Sequence, residues 1–260
     1  MAPPEFETLL VDANRPLGRL TLHRPEKLNA LNPTMLKELI EAACWFDSRP
    51  EIRVVIVAGA GRAFCAGFDL NFFGSGNLSQ PGHADADLGR VMVEHLANLR
   101  ALTVAAIQGR CVGGGVLIAA ACDLRMVADD AIFSIPEIDM GIPLAWGGIP
   151  RLVREIGPAM TRELVLDCRE FTAAEAQALR FVNRRVPPEK LAEATEAWAA
   201  RLAGKPDYLL ATTKRQVNAA AELLLSPARA RADADELLAA LSDPECREMS
   251  KNYLAKRLKR

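Results

Sequence analysis

The sequence predicts an α/β fold with parallel strand pairing, and three observations carry that prediction. Two short runs, IRVVIVAG (52–59) and TVAAIQG (103–109), are apolar at nearly every position, the pattern of strands buried on both faces. Each run leads into a turn of small residues and then a helix start. The resulting order of strand, helix, strand, glycine turn, helix, strand is the grammar of a parallel α/β core. At 260 residues the chain can bury a substantial interior.

Taken in order, LGRLTLHRP (Leu17 to Pro25) alternates like a strand and stops at proline. NPTMLKELIEAACWFDSRP then reads as a helix. Asn32 is the N-cap, Pro33 fits the first turn, and Met35, Leu36, Leu39, Ile40 and Ala43 line one face. After the strand 52–59, the stretch from Asn71 to Gly89 is rich in Gly, Ser, Asn and Pro and reads as a long loop, a lid or an entrance. TVAAIQG is the next strand, followed by Gly113, Gly114 and Gly115 and their helix. DLRMVADD and AIFSI are two further short strands. Beyond about Gly157 strand signals disappear. AEAQALRFV, EKLAEATEAWAARLAG and PARARADADELLAAL are charged, alanine-rich helical text. The expected division is a core over residues 1–195 and a helical region over 196–260. No repeat of 20 to 50 residues is visible.

Composition narrows the function. A formal net charge of -1 gives no global pull towards nucleic acid or an acidic membrane. The N-terminus MAPPEFETLL lacks a basic start and an apolar signal core, and no apolar run is long enough to span a bilayer. The expectation is a cytoplasmic protein. Six cysteines without a CxxC pair, and three scattered histidines (His23, His83, His95), read as reduced thiols and surface side chains, with no metal site. The basic end KNYLAKRLKR reads as a solvated helix terminus, with a phosphate contact as the alternative.

Two segments, VVIVAGAGRAFCAGFDL and TVAAIQGRCVGGGVLIA, share one design: strand, small-residue turn, helix start. Amides at a helix N-terminus lack internal acceptors and carry the positive end of the dipole. Small residues leave them open to an anionic oxygen. A dinucleotide site is a poor match, because Phe64 stands where GxGxxG needs its third glycine, and no Walker sequence occurs. Glu137, flanked by Pro136, Ile135 and Ile138, is on local text a solvent-facing strand-end carboxylate. The alternative is a carboxylate in apolar surroundings, whose raised pKa suits a general base.

HRPEKLNAL, GRAFCAGFDL, GGGVLIAAACDLRMVA and FSIPEIDMGIP together resemble, in order and spacing, the crotonase (enoyl-CoA hydratase/isomerase) superfamily, from about Leu17 to Pro187. The resemblance implies a spiral core of repeated ββα units with a C-terminal α-helical trimerisation region. It also implies an acyl-CoA thioester substrate, with coenzyme A as part of that substrate and no separate cofactor, and a homotrimer or hexamer. It assigns the backbone N–H groups of Phe68 and Gly114 to the thioester oxygen and Glu137 to acid/base work. Ala66 and Leu28 fall at positions near the adenine and the CoA channel. Arg62 and Lys27 are candidates for the CoA phosphates. Leu70, Gly113, Leu117 and Pro136 join them on the binding surface, as does Asp69, for which a helix-cap reading is favoured. An enolate gains more from two fixed donors than a neutral thioester does, and one such donor is worth roughly 3–4 kcal/mol.

The chain departs from the hydratase pattern at Leu117, where the resemblance implies a second glutamate. One carboxylate is enough to move a proton from C2 to C4 of a 3-enoyl-CoA, so isomerisation is the leading expectation. The alternatives are an atypical hydratase with a second acid, Glu94 or Asp139, and a silent CoA-ester binding protein. Ala145 stands where dienoyl isomerases and dehalogenases of the superfamily carry aspartate. Trp146 is a possible pocket wall, with ordinary core as the favoured reading.

Overall fold

The computed structural model describes residues 3–71, 82–224 and 232–257. Strands are β1 (Leu9–Asn14), β2 (Leu17–Leu22), β3 (Val54–Gly59), β4 (Leu102–Ile107), β5 (Arg110–Val112), β6 (Leu124–Ala128), β7 (Ile132–Ser134), β8 (Phe171–Thr172) and β9 (Arg184–Val186). Helices are α1 (Pro33–Asp47), α2 (His83–Ala97), α3 (Gly114–Ala121), α4 (Gly148–Asp167), α5 (Ala173–Ala178), α6 (Leu191–Ala203), α7 (Asp207–Leu224), α8 (Asp233–Ser242) and α9 (Pro244–Arg257).

The larger sheet has the order β1-β2-β3-β4-β6-β9, antiparallel between β1 and β2 and parallel elsewhere. Val54 sits beside both Leu17 and Leu102, so the three strands run in step. Alternation within β3 explains its unbroken apolar text. Val55 and Val57 join the main core, while Val54 and Ile56 face a second cluster covered by Leu191, Trp198 and Ala199 of α6. The expected boundary at residue 195 falls inside this helix, which closes one face of the sheet.

A second, smaller layer makes the spiral. From each of β2, β3, β4 and β6 the chain continues into a short extended piece, around Leu31, Cys65 to Phe68, β5 and β7. These pieces pair with one another: Leu31 with Phe68, Cys65 with Cys111, and β5 with β7. A helix follows each, so the repeated unit is strand, short strand, helix. Helix α1 begins as its text demands, with the Asn32 side chain accepting the Met35 N–H at 2.9 Å.

Two expectations change. The stretch from Asn71 to Gly89 is not all loop, because α2 starts at His83. Residues 72–81 lie outside the described residues. Ala86, Gly89, Met92, Val93 and Leu96 form a buried face on α2, which packs against α1, α3 and α8. Strands do occur beyond Gly157, as β8 and β9; each is too short to carry a period of its own. Among the described residues no helix is long and apolar enough to cross a membrane.

Candidate active site

The second-layer pieces of three successive units end side by side, and the candidate residues lie at those ends. Cys65 donates its N–H to Arg110 O at 3.0 Å, and Val112 donates to Cys65 O at 2.9 Å, which fixes the turn 65–68 alongside β5. On its other flank the Leu31 N–H donates to Gly67 O at 2.7 Å, and the Asp69 N–H to Leu31 O at 2.8 Å. The Gly113 N–H donates to Ser134 O at 2.9 Å, tying the glycine turn to β7, from which Glu137 follows three residues later. Phe68, Gly114 and Glu137 come together by backbone pairing between neighbouring units.

A cavity of about 320 Å³ opens among them. Ala66, Phe68, Leu70, Gly113 and Gly114 line one part of it, and Leu117, Pro136 and Glu137 another. Gly114 is the first residue of α3, so its N–H has no acceptor within the helix. Gly113 has φ +50, and a Cβ there would overlap Oε1 of Glu137. Only glycine lets the turn and the acid lie this close.

Glu137 is partly exposed as a residue, yet its Oε2 is sealed from solvent and has no hydrogen-bond partner among the described residues. Burial pushes its carboxyl pKa up to about 7, offset in part by its own backbone N–H. Local text alone points to a solvent-facing carboxylate. The tertiary environment makes it an apolar-site acid instead, poised to hold or release a proton near neutral pH.

The other assignments divide. Ala66 donates its N–H to Leu28 O at 3.0 Å, so Leu28, half-buried at φ 52, lies next to the cavity wall without forming it. Lys27 and Arg62 are exposed and outside the cavity lining. Asp69 is buried and turned away from the cavity: its carboxylate pairs with Arg24 at 3.0 Å and accepts the Asn71 N–H at 3.1 Å, which is the capping role. Glu94 pairs with Arg90 at 2.7 Å and faces a different cavity; Asp139 is exposed. Neither brings a second carboxylate to Glu137. Leu117, buried and one turn into α3, fills that side with hydrocarbon.

Trp146 matches both of its sequence readings, forming cavity wall as well as packing on the core. Other lining residues carry no signal in local sequence. Leu237 and Leu241 of α8 and Tyr253 of α9 reach the cavity from more than 90 residues beyond Trp146. Asp85, in the first turn of α2, is exposed at its edge.

The description Enoyl-CoA hydratase/isomerase belongs to the family model that matches residues 12–259. The chain belongs to the enoyl-CoA hydratase/isomerase family. A Mycobacterium bovis relative named as a probable enoyl-CoA hydratase is 36% identical over 223 residues, covering 85% of each chain. An Arabidopsis thaliana protein named as a peroxisomal Delta(3,5)-Delta(2,4)-dienoyl-CoA isomerase is 35% identical over 192 residues, covering 69% of this chain and 68% of its own. The crystal structure of an enoyl-CoA hydratase from Mycobacterium avium subsp. paratuberculosis superposes with a TM-score of 0.86 at 26% identity, covering 95% of this chain and 99% of that one. The crotonase spiral and its helical C-terminal region are therefore the fold of this enoyl-CoA hydratase/isomerase family member.

Proposed function

We propose that this family member converts a 3-enoyl-CoA to the conjugated 2-enoyl-CoA, with Glu137 as the only acid/base. The observation that carries the reading is the contrast across the cavity: one sealed carboxyl group at Glu137, and Leu117 where a water-activating partner would stand. The Glu137 carboxylate takes a proton from C2. The electron pair released from the C–H bond delocalises onto the thioester oxygen, giving a dienolate. The N–H groups of Phe68 and Gly114 stabilise that oxyanion. Protonated Glu137 then returns the proton at C4, leaving the double bond between C2 and C3. No electron or atom is supplied from outside, and hydrocarbon at Leu117 keeps water from the intermediate.

An acyl-CoA thioester is the substrate in this scheme, and coenzyme A leaves as part of the product. The chain assembles as a homotrimer or hexamer; exposed Tyr208, Leu209 and Val217 on α7 support an oligomer. Hydration of a 2-enoyl-CoA is the second reading, favoured by the names of the relatives. It needs another acid, for which Asp85 at the cavity edge is the available carboxylate among the described lining residues. Absorbance of the conjugated thioester decides between them. Its appearance from a 3-enoyl-CoA supports isomerisation, and its loss from a 2-enoyl-CoA supports hydration. Silence in both assays, with saturable ester binding, leaves a binding protein.

A further inference from the structure

Gly89 lies in the middle of α2, where glycine weakens a helix, and it is buried. The reason for a glycine there is tertiary. A Cβ at this position would overlap Cδ2, Cε2 and Nε1 of Trp146. The far edge of the same indole reaches α3, where a Cβ on Gly114 would stand 2.7 Å from Trp146 Cζ3 and 2.8 Å from Leu31 Cδ1. Phe68 meets the indole edge-on, with ring centroids 6.1 Å apart at 75°. One side chain thus touches both residues assigned to the oxyanion. Its backbone is held in the left-handed region at φ 60, a conformation bulky residues rarely adopt. The next residue is tethered, the Gly147 N–H donating to Asp233 Oδ2 at 2.7 Å.

We propose that Trp146 is a positioning residue that holds the Phe68 and Gly114 turns in register, and that Gly89 is the socket that sets it. The proposal rests on the reading of Phe68 and Gly114 as oxyanion donors. Such donors help only when fixed before charge develops. Without the wedge the two turns relax independently, while contacts to the CoA portion stay in place. Turnover therefore suffers more than ground-state binding.

A double-mutant cycle tests this. In the native background, Gly89→Ala forces the indole aside and is expected to lower kcat about 10–100-fold with KM changed by less than about threefold. Trp146→Leu is expected to lose a similar amount, and Trp146→Phe to recover part of it. In the Trp146→Leu background the space beside residue 89 is open, so adding Gly89→Ala costs little more. Independent, multiplicative losses would overturn the proposal, as would a Gly89→Ala protein with unchanged kcat. A second readout uses crotonyl-CoA bound to the Glu137→Gln protein, in which the thioester carbonyl stretch moves to lower frequency if both donors engage it. The shift is expected to shrink when Gly89→Ala is added. A shift that persists unchanged defeats the wedge alone, whereas no shift in the Glu137→Gln protein itself defeats the oxyanion reading and the proposal with it.

Discussion

At Glu137, burial and reactivity are the same fact. A carboxyl group with one oxygen sealed among apolar neighbours resists ionisation, and its pKa of about 7 follows from that desolvation. As a base it must be deprotonated, so kcat/KM should rise with pH and reach half its plateau near pH 7, measured in initial-rate assays. Glu137→Gln should lower turnover about 10⁴-fold while leaving CoA-ester affinity within a few-fold. The same shift is a stability statement. From about pH 4.5 upward the unfolded chain releases this proton before the folded one does, so this acid's contribution to stability is lost as pH rises to about 7. The loss is of the order of 3 kcal/mol at most. Denaturant titrations at pH 5 and pH 8 should show the native protein losing ground relative to Glu137→Gln over that interval. The text SIPEI offers this only as an alternative, because Pro-Glu after a strand reads first as a solvated carboxylate even between isoleucines. The residues that line its cavity come from several other units of the chain.

At the scale of elements, the glycine turn and its helix set the geometry between donor and acid. Gly113→Ala places a methyl against Glu137 Oε1 in a backbone conformation with φ +50. It should cost at least about 10²-fold in kcat/KM, comparable to removing one oxyanion donor, and thermal melts should show destabilisation of about 1–3 kcal/mol. Leu117→Glu puts a carboxylate on the helix face that lines the cavity. If the resemblance to two-glutamate hydratases transfers, this variant should gain hydration of a 2-enoyl-CoA at some expense in stability from the new buried charge; a folded variant with no gain would remove that argument. The turn, the helix and the leucine were legible in GGGVLIAAAC because period and composition are local. The start of α2 at His83 was not, since its apolar face includes a glycine that only the Trp146 indole explains.

For the molecule as a whole, charged groups fasten the C-terminal helices to the core. Lys214 of α7 is buried, donating to Asp123 Oδ2 at 2.7 Å and to Ala101 O at 3.0 Å, and Thr103 donates to the same carboxylate. Lys214→Met should cost about 3 kcal/mol by leaving that acid without its counter-ion, read from equilibrium unfolding. Asp233 holds Gly147, and the Ser250 hydroxyl donates to Met140 O, so α8 and α9 are anchored beside the cavity they line.

The sequence by itself determined the strands buried on both faces, α1 with its cap, the two small-residue turns, and the order of motifs that marks the family. These depend on residues within one or two turns of each other, or on spacing that survives without coordinates. Only the tertiary structure decided that Glu137 is sealed, that Asp69 pairs with Arg24, that α6 covers one face of the sheet, and that Trp146 bridges α2 and α3. Each of these is a contact between units dozens of residues apart. Burial and proximity are properties of the packed chain, and no local stretch of text contains them.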